Sequence, residues 1–436
     1  MNVALVKTDT SRAGSDVFTL SRARLPGTGK VAETRAQAFA IFERLGLPHR
    51  RVEEWKYTDL RALMREVLPL ADAPDAKALA RAKAALASVA VDGAVRLVLV
   101  DGVFVAGLSD ISALEAGVSI KSLREALEAG SETLLTASVD DAMLMLNTAL
   151  ATDGVLITIA DGAKLSRPLQ IIHVATVSKA SRASRSHLAL GNGAQATLIE
   201  SIVAAEGAAA YQANDAIAIS VGDEAALSTI RLMRDAADAT NISSALVTVG
   251  ARSKLNLFNM TSGGGLSRLQ GFMTLAGEDS ELTISGVNLL RDKQHGDLTL
   301  VVDHAVPGCT SRENFRAVLD DRAHSVFQGR IIVRPDAQKT DGKMMTRALL
   351  LSDEAEADNK PELEIFADDV SCGHGATSGA LDESLLFYLR ARGLPEKQAQ
   401  ALLVQAFVGE AIEAIEDEAL RERVIDTAKA WLETRS

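Results

Sequence analysis

The chain has 436 residues, which at about 150 residues per domain allows two or three folding units with a substantial core. Its 46 Lys and Arg residues and 58 Asp and Glu residues give a net charge of −12, so no nucleic-acid partner is expected. Cys309 and Cys372 are the only cysteines, too few for a disulfide scaffold or for four thiolates around one iron–sulfur cluster. An iron–sulfur cluster on this protein would therefore have to be shared with a partner.

Membrane insertion is also not expected, because the sequence has no run of about 18 apolar residues that could span a bilayer. Residues 1–14 contain no apolar segment of the kind found in secretory signals. Aromatic residues make up only 4% of the chain, which leaves few rings to stack on sugars. These features predict a cytoplasmic protein without a membrane partner and disfavour carbohydrate binding.

The N-terminal region, residues 1–92, is predicted to be helical. Residues 33–47 place apolar side chains at the i, i+3, i+4 and i+7 positions of one helix face. Residues 75–89 are rich in strong helix formers such as Ala, Leu and Lys. Two helices are therefore expected before the first strand.

Residues 93–139 are predicted to be a mixed connecting segment. From Val95 onward, branched apolar residues flank the pair Asp101-Gly102, which is typical of a β-hairpin turn. One more short helix is expected at residues 122–129. The segment thus links the helical region to a part of the chain with a different pattern.

An internal repeat dominates the middle of the chain. Four segments fit the pattern Gly-x-x-[Ala/Ser]-x-Leu, and their glycines are almost evenly spaced, at Gly193, Gly222, Gly250 and Gly277. Each is followed by alternating apolar and polar residues, the period of a half-buried strand. A strand unit repeated every ~28 residues cannot bury its apolar face alone but can do so against the next unit. Residues 140–365 are therefore predicted to form a β-solenoid.

The leucine that ends each repeat makes this prediction specific. The four leucines should occupy equivalent positions in successive coils and stack inside the solenoid; they are Leu198, Leu227, Leu255 and Leu282. A β-sandwich also contains many short strands separated by turns. The near-constant spacing favours the solenoid over the sandwich.

Residues 366–436 are predicted to form a C-terminal helical domain of about three helices. Asp382 is suited to cap the first helix, Gly393 to end it and Pro395 to begin the second. Apolar residues then recur on one face of each later helix. We expect these helices to cap the last coil of the solenoid.

Cys372 and His374 are the residues best suited to metal chemistry. They are two positions apart, so in an extended backbone both side chains point to the same side, and Gly373 and Gly375 are expected to leave room beside them. Thiolate and imidazole both suit iron–sulfur or zinc chemistry. Two ligands leave a coordination shell half empty, so a buried free cysteine beside a hydrogen-bonded histidine is the alternative.

The other candidate residues are expected to be structural. Five histidines occur singly in strand-like stretches or in a turn, and we expect core or surface roles for them and for Cys309. These histidines are His173, His187, His295, His304 and His324. Trp55 and Tyr57 are expected to anchor the helical N-terminal region. Residues 26–31 resemble a phosphate loop but lack its first glycine and its magnesium-binding Ser or Thr, so this chain is not expected to bind ATP there.

Several longer motifs carry a family resemblance. The block at residues 304–394 contains HAVPGCTSRENFRAVL, AQKTDGKMM, CGHGAT and LLFYLRARG, and it closely resembles the core of the SufB/SufD proteins of iron–sulfur cluster assembly. EEWKYTDL at residues 53–60 and the CGHGAT form of the late motif are similar to the SufD branch. Gly373 replaces a common Ser and Ser371 a common Lys, so a role that depends on those two side chains is not implied.

The resemblance implies a fold and a set of partners. It implies a right-handed parallel β-helix, pairing with a SufB-like subunit through the β-helix, and binding of a SufC-like ABC ATPase through the C-terminal helices. It also implies that His374 lies near the interface with SufB and takes part in cluster assembly, with Cys372 as a less secure ligand. No cofactor is expected to bind stably to the isolated chain; the nascent Fe–S cluster belongs to the complex.

Other interpretations belong to different functional classes. A polysaccharide lyase or an acyltransferase can also be built on a β-helix, but the sequence has no clustered catalytic residues and no strict hexapeptide repeats. A purely structural subunit, in which His374 binds nothing, is a further alternative. We expect a non-catalytic scaffold subunit, and an unpaired edge of the solenoid would favour a homodimer of the isolated chain.

Overall fold

The computed structural model describes residues 16–136 and 139–434, which form a parallel β-solenoid with helices before and after it. The helices are α1 (Lys30–Leu45), α2 (Leu60–Leu63), α3 (Ala76–Leu86), α4 (Leu123–Glu128), α5 (Ala142–Leu150), α6 (Glu383–Ala391), α7 (Glu396–Ile412) and α8 (Glu418–Glu433). Short 3₁₀ turns lie at Arg22–Arg24, Glu53–Trp55, Ala106–Leu108, Ile111–Ala113 and Glu132–Leu135. The strands are β1 (Val95–Val100), β2 (Val103–Phe104), β3 (Val118–Ser122), β4 (Val155–Ile159), β5 (Leu169–Ala175), β6 (Ser181–Leu190), β7 (Gln195–Ala204), β8 (Gln212–Val221), β9 (Ala226–Arg234), β10 (Thr240–Val249), β11 (Lys254–Thr261), β12 (Leu266–Leu275), β13 (Glu281–Leu290), β14 (His295–His304), β15 (Thr310–Leu319), β16 (His324–Val333), β17 (Asp341–Leu350), β18 (Glu356–Ile365) and β19 (Ser371–Gly379).

Each full coil contributes one strand to each of two sheets. The odd-numbered strands β5 to β19, with β1 and β2, form a ten-stranded sheet; β3 and the even-numbered strands β4 to β18 form a nine-stranded sheet. Strands of successive coils pair in parallel, but the coils differ in length, since Lys254 pairs with Glu281 whereas Thr310 pairs with the more distant Asp341. The predicted mainly β fold with a parallel solenoid is confirmed.

Close packing between coils explains the glycine repeat. The Gly222 amide donates to the carbonyl of Leu190 in the preceding coil, and the Gly250 amide donates to Val221 in the same way. A Cβ on Gly250 would lie 2.6 Å from Asp223 Oδ1 of that coil. A larger residue at this turn would push successive coils apart.

The predicted leucine stack is correct for three of its four members. Leu227, Leu255 and Leu282 pair in register, and all three are buried in the apolar interior between the two sheets. The interior is therefore built from columns of side chains, one residue from each coil. This register decides which residues meet at the end of the solenoid.

Leu198 does not belong to that column, so this part of the prediction is wrong. Leu198 is buried in the same interior but pairs with Thr229, two residues beyond the register of the other leucines. The cause lies in the preceding turn, where the Gly191 amide donates to Ile159 of the coil below, as Gly222 does to its own neighbour. Gly191, and not Gly193, is thus the structural equivalent of Gly222.

The C-terminal helices lie along the side of the solenoid. Val404 and Val408 of α7, together with Trp431 of α8, pack on outward-facing residues of the ten-stranded sheet such as Ile230 and Phe258. The expected cap over the last coil is therefore wrong. An amphipathic pattern shows that a helix face is buried but not which surface covers it.

The N-terminal region covers the outer face of the nine-stranded sheet. Every residue of α5 is buried, and Asn147 donates to the carbonyls of Ser184 and Asn214 on that sheet. Arg35 of α1 donates in turn to the carbonyls of Ala149 and Ala151. None of the helices in the described ranges is long and apolar enough to cross a membrane.

The predicted hairpin opens the ten-stranded sheet. β1 and β2 are antiparallel, and the turn residues Asp101 and Gly102 both have positive φ, 49° and 84°. At the far end, β19 continues the sheet to Gly379, within the segment that the sequence placed in the helical domain. The strand is rich in small residues, which hides its alternating pattern.

Candidate metal centre at the open end of the solenoid

Cys372 and His374 lie side by side on the last strand of the ten-stranded sheet. Cys372 pairs with Gly342, and His374 pairs with Met344, whose side chain belongs to the apolar interior. Both candidate ligands therefore lie on one face of β19, as predicted from their spacing, and this face is the interior one. Since β19 is the edge strand among the described residues, they stand at the open end of the solenoid.

The two candidate ligands differ in exposure. Cys372 is partly buried and packs against the interior cluster, whereas the exposed His374 has no hydrogen bond or ion pair with the described residues. Burial raises the pKa of the Cys372 thiol, and the nearby Asp341 carboxylate raises it further. The thiol is therefore protonated at neutral pH and must lose a proton to bind a metal.

Gly373 and Gly375 do not create the expected space beside these ligands. Strand alternation puts both glycines on the opposite, outer face of β19. A Cβ on Gly373 would meet nothing within 4 Å, but one on Gly375 would lie 2.6 Å from Met345 Cε. Access to Cys372 and His374 comes instead from the open end, because no further coil follows β19 among the described residues.

A polar layer lies below the two candidate ligands. The column under Cys372 continues through Gly342, which has no side chain, to Ser311, whose hydroxyl is 3.0 Å from His304 Nε2. Burial lowers the pKa of His304 to about 4, so this imidazole is neutral at physiological pH. This interior column thus changes from apolar to polar as it approaches the open end.

Glu313 is the most unusual member of this layer. It lies two coils below His374 in the column Glu313, Met344, His374, and it is only 2% exposed. Burial raises the pKa of its carboxyl to about 8. The Ser311 hydroxyl opposes this rise in part, but it is directed at His304 and leaves both Glu313 oxygens without a hydrogen bond.

Glu313 was not among the predicted site residues, although the alternation of β15 indicates where its side chain points. Ser311, Glu313 and Phe315 alternate along β15, and Phe315 is plainly a core residue. Alternation alone would have put the Glu313 carboxyl inside the solenoid. The charged neighbours in SRENFR obscured that pattern.

The residues expected to be structural fall into two groups. Cys309 is buried, with its Sγ 3.2 Å from Ser280 Oγ, and His173 lies inside the solenoid near Glu200 and Asp215. His187 is partly buried, and its Nε2 forms a hydrogen bond with the Leu134 carbonyl. None of these residues lies next to Cys372, in agreement with the predicted core roles.

The remaining two histidines, His295 and His324, lie on the outer face of the nine-stranded sheet. Their rings pack edge to face with centroids 4.7 Å apart. His324 Nε2 is 2.8 Å from Asp358 Oδ2. The spacing in the sequence did not indicate this pairing, because the three residues come from three different strands.

Trp55 anchors the N-terminal region, as expected. Its indole Nε1 donates to Asp141 Oδ2 at 3.0 Å, and the Arg268 guanidinium lies 3.8 Å from the ring centroid. Arg268 also forms a fully buried ion pair with Asp297 of the solenoid. Tyr57 is only partly buried and contacts Lys56.

The open end has unpaired strand edges and a few exposed apolar side chains nearby. β18 and β19 are the terminal strands of their sheets within the described ranges. Ile365 and Phe366, at the end of β18 and just beyond it, are 41% and 60% exposed. On the neighbouring helix α6, which has no buried residue, Phe387 is 73% exposed.

Family models match almost the whole solenoid and the region before it. The model described as the SufBD core domain of the SUF system for FeS cluster assembly matches residues 173–407, and the SufBD N-terminal region matches residues 25–171. The chain belongs to the SufBD family. The core match includes both Cys372 and His374, so the candidate centre lies within the SufBD core domain.

Individual SufBD relatives agree with this assignment. The chain is 32% identical over 389 residues to the iron–sulfur cluster assembly protein SufD of Escherichia coli, and the match covers 88% of each chain. It is 29% identical over 407 residues to a SufBD family protein of Synechocystis, covering 87% of this chain and 86% of the relative. A SufBD family protein of Mycobacterium bovis is 33% identical over 227 residues, which is 50% of this chain and 57% of the relative. The resemblance to the SufD branch is confirmed.

Proposed function

We propose that this chain is the non-catalytic SufD-type scaffold subunit of a complex with SufB-like and SufC-like partners, on which iron–sulfur clusters are assembled. Membership of the SufBD family supports the cluster-assembly role. The observation that carries the proposal is the open end of the solenoid. There an exposed imidazole, a partly buried thiol and two unpaired strand edges lie together.

The SufB-like subunit pairs with this open end. Unpaired N–H and C=O groups on β18 and β19 are ready to pair with strands of another chain. The exposed Ile365 and Phe366 add apolar area at the same edge. In the absence of SufB, the same edges favour a homodimer of the isolated chain.

The SufC-like ATPase binds the C-terminal helices. α7 and α8 use one face to cover the ten-stranded sheet, whereas α6 leaves Leu385, Phe387 and Tyr388 exposed. Exposed apolar side chains grouped on one helix are typical of an interaction surface. The ATPase hydrolyses the nucleotide, since residues 26–31 of this chain do not form a phosphate loop.

His374 and Cys372 contribute ligands to the cluster under assembly, and the partner provides the others. The exposed His374 can bind iron without displacing a hydrogen bond, and Cys372 can do so after losing its proton. The nascent cluster is the cargo of the complex and not a resident cofactor of this chain.

Co-expression with SufB-like and SufC-like partners, followed by purification through this chain, tests the proposal. We expect a stable three-protein complex that carries iron and sulfide. A matched full-length chain with Leu385→Ser and Phe387→Ser should lose the ATPase and keep the SufB-like subunit, because both side chains are exposed on α6, and α7 and α8 still cover the solenoid. Recovery of the ATPase with this double variant, or failure of the wild-type chain to bind either partner, would contradict the proposal.

One observation favours the alternative of a purely structural subunit. Metal-binding histidines usually donate their second ring nitrogen to a carboxylate or carbonyl, and His374 has no such partner among the described residues. A complex that assembles normally and carries the same iron and sulfide without the His374 imidazole would support this alternative.

A further inference from the structure

A second group of metal-binding side chains lies on the outer face of the nine-stranded sheet. His324 and Glu356 are register partners at the starts of β16 and β18, and Asp358 follows two residues along β18. Strand alternation puts all three on one face, opposite the inward-facing Phe327. This group is therefore separate from Cys372 and His374, which face the interior on the other sheet.

The ligand atoms of the three side chains are close enough to share one ion. His324 Nε2 is 2.8 Å from Asp358 Oδ2, and one donor atom from each residue can be chosen so that all lie within 4.8 Å of one another. Ligands at about 2.0–2.2 Å from a metal ion are separated by roughly 3–3.5 Å. An ion bound here would take the place of the proton shared by His324 Nε2 and Asp358 Oδ2, and that proton would be released to solvent.

The local charge also favours a cation. Neither Glu356 nor Asp358 has a Lys or Arg partner within the described part of the chain. Two carboxylates farther along the same strand are paired, Glu362 with Lys360 and Glu364 with Arg330. The two carboxylates beside His324, neither of which has a Lys or Arg partner among the described residues, thus leave local negative charge that a divalent ion would neutralise.

His295 fixes the imidazole that would bind the ion. The His295 ring packs edge to face against His324, and its Nε2 lies 2.9 Å from the Thr58 hydroxyl of the N-terminal region. His295 is almost fully buried, while His324 and Asp358 are partly exposed. A histidine held in place on its buried side and open on the other is suited to bind an ion from solvent.

We propose that His324, Asp358 and Glu356 bind one divalent transition-metal ion on the outer face of the last coils. One imidazole nitrogen and two carboxylate oxygens suit Zn²⁺, Mn²⁺ or Fe²⁺, with water completing the shell. Asp358 and His324 provide the firm contacts, and the more exposed Glu356 provides the third. The site does not depend on the cluster-assembly role of Cys372 and His374.

Zn²⁺ titration by calorimetry tests this site in the full-length chain. The host protein should carry Cys372→Ala and His374→Ala, so that the other pair of metal-binding residues makes no contribution. We expect one Zn²⁺ per host chain. His324→Ala and Asp358→Asn should each weaken binding by about ten-fold or more, and Glu356→Gln should have a smaller effect.

His49→Ala in the same host is the matched control, because it removes a histidine that lies outside the group. It should bind Zn²⁺ as the host does. Asp358→Asn keeps the side-chain shape, and far-UV circular dichroism should show that each variant is folded. Absence of saturable Zn²⁺ binding in the host, or equal affinity in the host and in folded Asp358→Asn, would overturn the proposal.

Discussion

A single interior column of the ten-stranded sheet has two very different halves. Its first half is Leu227, Leu255 and Leu282, all buried in the apolar interior between the two sheets. Its second half, in the same register, is Ser311, Gly342 and Cys372. The register is continuous along the column, so the difference comes from the side chains and from the unpaired edge at β19.

The adjacent column makes the same transition. Ile284 is followed by Glu313, Met344 and His374, so a buried carboxyl and an exposed imidazole replace aliphatic side chains over three coils. A buried carboxyl without a hydrogen bond costs stability. In these two columns the aliphatic side chains lie in the middle coils and the candidate metal ligands lie on the last strand.

Removing a leucine from the apolar half should have the largest effect on stability. Leu255 is fully buried, so Leu255→Ala leaves a cavity between coils and should lower the free energy of unfolding by about 2–5 kcal/mol. Cys372→Ala, in the same column, should cost less than about 1 kcal/mol because the thiol is partly exposed. Denaturant unfolding of both variants provides the measurement; equal losses would remove the distinction between the two halves.

Glu313→Gln should change how stability depends on pH. The pKa of Glu313 rises from an ordinary 4.5 to about 8 on folding, so the folded chain holds this proton more tightly than the unfolded chain. Its contribution to stability is therefore fully present below pH 4.5 and is lost as the pH rises to about 8. We expect the stability of Glu313→Gln not to fall in this way as the pH rises. At pH 8 the variant should be more stable than the wild type.

Unfolding by urea at pH 5 and pH 8 separates the two proteins. The wild type should lose more stability than Glu313→Gln between these pH values. Parallel changes in both proteins would show that Glu313 is already ionised when folded at pH 5, contrary to the effect of its burial.

Gly342→Ala should have the smallest effect. An added Cβ would lie 3.4 Å from both Ile331 Cδ1 and Ser311 Oγ, which is close but acceptable contact, and the residue does not require a positive φ. We expect a change in unfolding free energy within about 0.5 kcal/mol. A loss of several kcal/mol would mean that the gap between Ser311 and Cys372 tolerates no atom, and that the open end is packed as tightly as the leucine half.

Much of this architecture can be predicted from local patterns. The glycine and leucine repeat predicts the solenoid, and the spacing of Cys372 and His374 correctly predicts that they share a face. The prediction for Leu198 is wrong because Gly191 and Gly193 both lie in one turn. Only the pairing between strands shows that Gly191 is the equivalent of Gly222. Local patterns therefore determine the elements but not the register between coils.

The group at His324 lies beyond such reasoning for the same physical reason. Coil length varies along the solenoid, so a distance along the chain does not tell which residues become neighbours. Glu356 meets His324 only because the intervening coil has its particular length. The packing of α7 and α8 likewise depends on tertiary structure. Their amphipathic pattern fits either the end or the side of the solenoid, and in the structure they cover the side.

The most direct test of the account is the iron and sulfide content of the assembled complex with His374→Ala. Because His374 is exposed and unbonded among the described residues, its loss should leave folding and complex formation intact. We predict that the purified His374→Ala complex contains less iron and sulfide than the wild type, and that Cys372→Ala shows a smaller decrease. An intact His374→Ala complex with unchanged iron and sulfide would contradict the claim that the open end of the solenoid is part of the assembly site.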